Sequence, residues 1–177
     1  LPRELAGSLG LRKYGFHGIS HGYVTAEAAR LLETPLESFN AVSCHLGSGG
    51  ASLCAVRGGR SVDNTMGFSP LQGLVMSTRC GDLDPAVTLR LIERSGGDCE
   101  TVEKILNRKS GVLGLSGISA DIRDVLAGLE KDGPAGPEII LAAQVYLWRL
   151  RKYLGAYLLA AGDCQARRQA AAGPALR

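Results

Sequence analysis

The segment Asn40-Ala-Val-Ser-Cys-His-Leu-Gly-Ser-Gly-Gly-Ala-Ser-Leu-Cys-Ala-Val-Arg-Gly-Gly-Arg60 constrains the fold of this chain more than any other. Ala41 to Cys44 is a short apolar run, and Ala51 to Val56 is a second one carrying Leu53 and Val56. Between them, His45-Leu-Gly-Ser-Gly-Gly50 holds three glycines in six residues. Glycine lets backbone N–H groups turn toward an anion with no side chain in the way, so the stretch reads as strand, phosphate-sized nest, strand. Arg57-Gly58-Gly59-Arg60 then predicts a second tight hairpin, because Gly-Gly suits a two-residue primed turn. An ordinary glycine-rich hairpin reads the same way on this segment alone.

Composition narrows the class. The 177 residues are 45% hydrophobic and 21% charged, a globular balance long enough to bury a core. A net charge of +3 without a Lys/Arg block argues against nucleic acid, and 5% aromatics against single-strand stacking platforms. The longest apolar run, Ile139 to Trp148, is about half of a membrane span. Cys44, Cys54, Cys80, Cys99 and Cys164 are odd in number and contain no Cys-x-x-Cys pair. Reduced thiols and a cytoplasmic location are expected, with no disulfide framework or zinc site. His17 and His21 share helical spacing, yet two ligands fall short of a metal site. The start at Leu1-Pro-Arg-Glu, without an initiator Met, reads as a piece of something longer.

Element signals fall in a clear order. Leu9 to Phe16 is a short approach that reads as extended. Ser20 reads as the N-cap of a helix to about Leu32, with Val24, Ala28 and Leu31/Leu32 on its core side. Asn64 to Asp84 reads as a long irregular stretch of the kind that carries active-site loops. Asp84-Pro85 predicts a helix start, ended by Gly96-Gly97. Asp98 predicts a cap for Thr101 to Arg108. Ser119 predicts a helix through about Leu129, with Asp121 and Asp124 in its first turn and Lys131 near its end. Pro137 opens the longest helix, to about Ala161, with Ile140, Ala143, Leu147, Leu150, Leu154 and Leu158 at core spacing. The pattern is α/β, strands before residue 65 and helices after it. Residues 1–162 read as one portion of a domain and 163–177 as a solvated tail poor in large apolar residues.

Three further segments carry chemistry: Tyr14-Gly-Phe-His-Gly-Ile-Ser-His21; Met66-Gly-Phe-Ser-Pro-Leu-Gln-Gly-Leu74 with Thr78-Arg-Cys-Gly-Asp-Leu-Asp-Pro85; and Ser110-Gly-Val-Leu-Gly-Leu-Ser-Gly-Ile-Ser-Ala-Asp-Ile-Arg123. The first resembles the Y-G-F-H-G-T-S-H signature of the acetate kinase family, and His45-Leu-Gly-Ser-Gly49 resembles its H-L-G-N-G loop. The others resemble M-G-x-T-P-L-E-G-L, T-R-x-G-D-x-D-P and S-G-x-L-G-x-S-G-x-S-x-D-x-R. These matches run in order from about Leu9 to Arg123. Ser48 stands where the family usually has Asn, Ser77 where it has Gly, and the loop carries an extra residue near Gly50-Ala51.

The resemblance implies a portion of a ribonuclease H-like, actin-like ATPase domain, with a β-hairpin phosphate loop plus helices, incomplete at both ends. It implies reversible transfer of the ATP γ-phosphoryl to acetate, giving acetyl phosphate and ADP, with Mg²⁺. His17 and Arg79 correspond to residues that stabilise the transferring group. His45, Leu46, Gly47, Ser48 and Gly49 would line the ATP phosphates, and Asp121, Ile122 and Arg123 the nucleotide pocket. The family's metal ligands and catalytic Asp have no counterpart in these residues, so the chain by itself is expected to be inactive and to supply no metal ligand. Acetate and ATP/ADP are the implied partners, with a homodimer in the complete enzyme. A propionate or butyrate kinase, or a non-catalytic nucleotide-binding remnant, are the alternatives.

Overall fold

The computed structural model describes residues 1–47, 49–130 and 135–162. Ser48, Lys131, Cys164 and the expected tail from residue 163 lie outside the described residues. The elements run α1 (Arg3–Ser8), α2 (Gly18–Leu31), β1 (Ala41–Leu46), β2 (Ala51–Arg57), β3 (Arg60–Asn64), α3 (Pro85–Arg94), α4 (Cys99–Arg108), α5 (Gly111–Ser116), α6 (Ile122–Leu129) and α7 (Pro137–Ala161).

The three strands form one antiparallel sheet in the order β1-β2-β3. Ala41 pairs with Val56 and Leu46 with Ala51, which places Gly47, Gly49 and Gly50 between the two strands of the first hairpin. Gly58 and Gly59, at φ 56° and 70°, make the second turn in the left-handed region that a primed turn needs. Both hairpins follow the sequence pattern, because turn chemistry fixes their register locally.

Strand β2 is the spine of the core. On one face Ala51, Leu53 and Ala55 pack with Met66, Leu74, Met76 and, from α7, Tyr157 and Ala161. Leu53, Met66 and Met76 are wholly buried, and each contributes about 2 kcal/mol relative to leaving it in water. A second cluster joins Val75, Val112 and Val125 to Ala142 and Ala143, clamping α5 and α6 to the N-terminal half of α7. Ser52, Cys54 and Val56 fill the other face of β2, where Ser52 meets α2.

Helix starts follow local chemistry. The carboxylates of Asp84, Asp98 and Asp121 accept from the backbone N–H of Ala86, Thr101 and Arg123, each cap stabilising by about 1 kcal/mol. Pro137 sits in the first turn of α7 as expected. Two helix starts shift and two helices are new. Helix α2 starts at Gly18 with His17 at its N-cap, because the Ser20 hydroxyl is turned to His45 instead. Helix α6 starts at Ile122, because Asp121 rather than Ser119 caps it. Residues 111–116, where the sequence pattern announces no helix, form α5, held by backbone bonds from Val112 to Met76 and from Leu113 to Ser77. Helix α1 has no side-chain cap and no buried residue, so nothing in its sequence announced it.

The core face of α2 is also displaced. His21, Thr25 and Ala29 are the buried residues, while Val24 is 45% and Leu31 66% exposed. Hydrogen bonds that join His21 to Ser43 and Ser52 set the helix rotation, overriding the apolar stripe. On α7, Ala143 is buried as expected, but Ile140 and Leu147 are exposed.

Candidate active site

His17 is the first group to place. It stands between Phe16 and Gly18 at φ 59°, ψ 28°, a left-handed backbone that histidine tolerates better than most residues. The approach is pinned from behind. Tyr14 and Gly15 donate their backbone N–H to Gly67 O, and Asn64 Nδ2 donates to Phe16 O. Helix α2 begins at the next residue, and His21 N–H donates to His17 O. A strained residue held from both sides is a feature that active sites use to aim a side chain.

Arg79 comes from the irregular stretch between β3 and α3. Its loop is clamped against α4 and α5. Val112, Leu113 and Ser110 donate backbone N–H groups to Met76, Ser77 and Thr78; Cys80 N–H donates to Leu106 O; Thr78 Oγ1 donates to Asn107 O. Gly111 at φ 65° is what permits this approach, since a Cβ there would lie 2.2 Å from Met76 O. The Arg79 guanidinium donates to Pro70 O at 3.3 Å.

The two side chains converge at Gly50, the last residue before β2. A Cβ on Gly50 would stand 3.2 Å from Arg79 Nη1 and 3.5 Å from both Cε1 and Nε2 of His17. One small group at that point is within reach of a permanently charged fork and an imidazole edge. His45, at the end of β1, completes the wall: its ring stacks on His17 with centroids 3.9 Å apart. All three histidines of the chain meet here, with His21 centroid-to-centroid 6.4 Å from His17 and 6.3 Å from His45.

Burial, then His45, then Arg79 depress the pKa of His17 below its ordinary value. His21, almost wholly buried, is pushed down to about 4 by burial first and by the other two histidines after it. Both are therefore neutral imidazoles at neutral pH. A neutral imidazole can still donate one directed N–H, and Arg79 supplies the charge.

The second expected group of residues meets in a neighbouring cavity of about 330 Å³, where Leu46 and Gly47 face Asp121, Ile122 and Arg123 across Met76 and Tyr146. Gly47 N–H donates to Gly50 O, closing the loop. Arg123 folds back on Asp121 in a two-pronged ion pair, which holds the Asp121 carboxyl down to about 2. His45 and Gly49 do not line this cavity; His45 turns to the histidine cluster, where Ser20 bonds its Nδ1. Ser48 is outside the described residues.

The family model described as "Acetokinase family" matches residues 1–165.

The chain belongs to the acetokinase family.

Its relatives agree. It is 49% identical over 158 residues to the acetate kinase of Acetivibrio thermocellus, covering 89% of this chain and 39% of that protein. It is 49% identical over 166 residues to the acetate kinase of Alkaliphilus metalliredigens, covering 94% of this chain and 41% of that protein. Among solved structures, Porphyromonas gingivalis acetate kinase superposes with a TM-score of 0.86 at 38% identity, over 93% of this chain and 40% of that one. A propionate kinase from Francisella tularensis superposes at 0.83 with 35% identity, over 93% and 41%. The acetokinase chain described here thus spans about two-fifths of the length of these relatives. Its helices and small antiparallel sheet are those of a part of an actin-like ATPase domain, the class expected from sequence.

Three contributors to this candidate site are given no role by sequence alone: Ser52, Gly50 as its floor, and His21, weighed there only as a metal ligand and set aside. The signal was present. His17 and His21 are four apart at a helix start, and Ser52 is a polar residue inside an apolar strand.

Proposed function

We propose that the chain carries the phosphoryl-transfer centre of an acetate kinase, which moves the γ-phosphoryl of ATP to an acetate oxygen and yields acetyl phosphate and ADP. The observation that supports this reading most is the convergence of Arg79 and His17 on Gly50, beside the glycine loop. A loose phosphoryl-transfer transition state spreads charge over equatorial oxygens, so catalysis needs positioned donors more than covalent chemistry. Arg79 would grip two of those oxygens with its fork, and His17 would add one directed N–H. The ATP phosphates would lie along residues 45–49, with Asp121, Ile122 and Arg123 flanking the nucleotide.

Mg²⁺ accompanies nucleotide phosphates in such reactions. Among the described residues no group of three or more His, Cys, Asp or Glu could hold a metal ion; Mg²⁺ held by nucleotide phosphates needs only one or two protein carboxylates, and the family resemblance assigns none of these to the chain. A cytoplasmic location and a homodimeric complete enzyme belong to the same proposal and rest on the family resemblance. Among the described residues no helix is long and apolar enough to cross a membrane.

The test grafts residues 1–162 into the matching segment of the Porphyromonas gingivalis acetate kinase and assays acyl phosphate formation with ATP and Mg²⁺. Turnover with acetate supports the proposal; a folded, nucleotide-binding graft without turnover overturns it. Running propionate in parallel addresses the second reading, favoured by the propionate kinase likeness. One methylene in an apolar pocket shifts preference by only about 10- to 200-fold, so both acids are measured as kcat/KM. The 177 residues assayed alone are expected to make no acyl phosphate and to bind ATP only in roughly the millimolar range, since much of the ligand would stay in water.

A further inference from the structure

Behind His17 lies a chain of three side chains that the phosphoryl-transfer reading leaves unused. Ser43 Oγ is 2.9 Å from His21 Nδ1. His21 Nε2 is 2.8 Å from Ser52 Oγ, and Ser52 Oγ is 2.9 Å from His17 Nδ1. Ser43, His21 and Ser52 are all buried, Ser52 completely. The chain therefore runs from the interior of the sheet, through β1, α2 and β2, to the imidazole at the site.

Such a chain can be polarised in two directions, and the far end decides which. Ser43 has no hydrogen-bond partner other than His21 among the described residues. If Ser43 accepted from His21 Nδ1, its own hydroxyl proton would be buried without an acceptor, a cost of about 1–3 kcal/mol. Ser43 therefore donates. His21 Nδ1 is then the acceptor, and a neutral ring must carry its proton on Nε2. That N–H donates to Ser52 Oγ. Ser52 turns its single proton to His17 Nδ1, which leaves the His17 proton on Nε2, the atom beside Gly50 and Arg79.

We propose that Ser43, His21 and Ser52 are positioning residues that fix His17 as the Nε2–H tautomer and so present a donor, not a lone pair, to the transferring group. The part concerning the transferring group rests on the phosphoryl-transfer reading; the tautomer assignment does not. The depressed pKa of His21 agrees with the wiring, because a protonated His21 would donate at both nitrogens and reverse the Ser43 link.

The experiment is long-range ¹H–¹⁵N correlation spectroscopy of the three histidines in the full 177-residue chain at about pH 8, where histidines are neutral. His17 and His21 are both expected as Nε2–H forms with Nδ1 in the hydrogen-bonded acceptor range. Finding Nδ1–H on either overturns the proposal from the unmodified chain alone. Ser52→Ala should move His17 toward a mixture of the two neutral tautomers; an unchanged His17 pattern overturns the proposal. His21→Gln keeps an N–H donor near the Nε2 position and should preserve the His17 pattern, whereas His21→Asn mimics Nδ1 and should lose it. Equal effects of the two would show that His21 acts only as filling and would also overturn it. None of these readouts requires turnover, so an inactive graft would count against the phosphoryl-transfer reading and leave the wiring standing. A wrong tautomer in an active graft would do the reverse.

Discussion

His17 and His45 lie face to face, their ring centroids 3.9 Å apart and their planes 18° from parallel. One ring comes from the N-cap of α2 and the other from the last turn-ward residues of β1. Their stacking ties the helix start to the β1–β2 hairpin at the point where Arg79 arrives from a third segment. At this distance His45, and Arg79 after it, add to burial in disfavouring a charge on His17. Burial first, then their charged neighbours, hold His17 and His21 below the ordinary histidine range, leaving Arg79 as the fixed cation beside them.

Gly50 is the floor of the site, and its lack of a side chain leaves the space between Arg79 and His17 open. Gly50→Val should therefore block that space while the hairpin still pairs. In the active graft, kcat/KM is expected to fall about 100-fold or more, the scale of misplacing a reacting group by about 1 Å. Thermal unfolding should change little by comparison. A Gly50→Val graft with unaltered kcat/KM would mean that the reacting group sits elsewhere.

The neutral histidines make stability depend on pH with a definite sign. His21 titrates at 6.5 when unperturbed and near 4 in the fold, so between those values the unfolded chain binds more protons. Stability should fall as the pH drops from about 6.5 to about 4 and lose no more from this group below that. His21→Gln should flatten this part of the profile. Denaturant melts at a series of pH values measure it, and an equal slope in the variant would remove His21 as the cause.

Gly111 carries the loop of Arg79. A side chain there would have to occupy a left-handed backbone at φ 65° and meet Met76 O at 2.2 Å. Gly111→Ala should destabilise the chain by about 2 kcal/mol or more, as forced left-handed residues with a clash do. By contrast, Gly155→Ala in α7, where a Cβ meets nothing within 4 Å, should be neutral or mildly stabilising. Paired thermal melts compare the two, and similar shifts would show that the Gly111 contact has relaxed at no cost.

What the sequence made legible was local. The Gly58-Gly59 turn, the Asp84-Pro85 start and the Pro137 start rest on residues adjacent in the chain, and each stands where the pattern placed it. What it hid was tertiary. The buried face of α2 is chosen by His21 reaching Ser43 and Ser52, which lie 22 and 31 positions away. Helix α5 exists because its backbone N–H groups dock on Met76 and Ser77 across the Arg79 loop, a partner that no local pattern announces. In the site, glycine-flanked His17 and Arg79 stood out as chemistry-bearing residues. Gly50 did not, because its role appears only once the two side chains flank it.

In the proposed reaction Arg79 acts on the transferring phosphoryl group from its place beside His17. The most direct test is Arg79→Ala in the graft, with acetyl phosphate formation followed at saturating ATP and acetate. The expected result is a loss of about 100-fold or more in kcat, as for removal of one transition-state donor, with nucleotide binding and thermal stability close to the unmodified graft. A kcat within a factor of about two, too small for any lost transition-state donor, would contradict the assignment and take Arg79 out of the reaction.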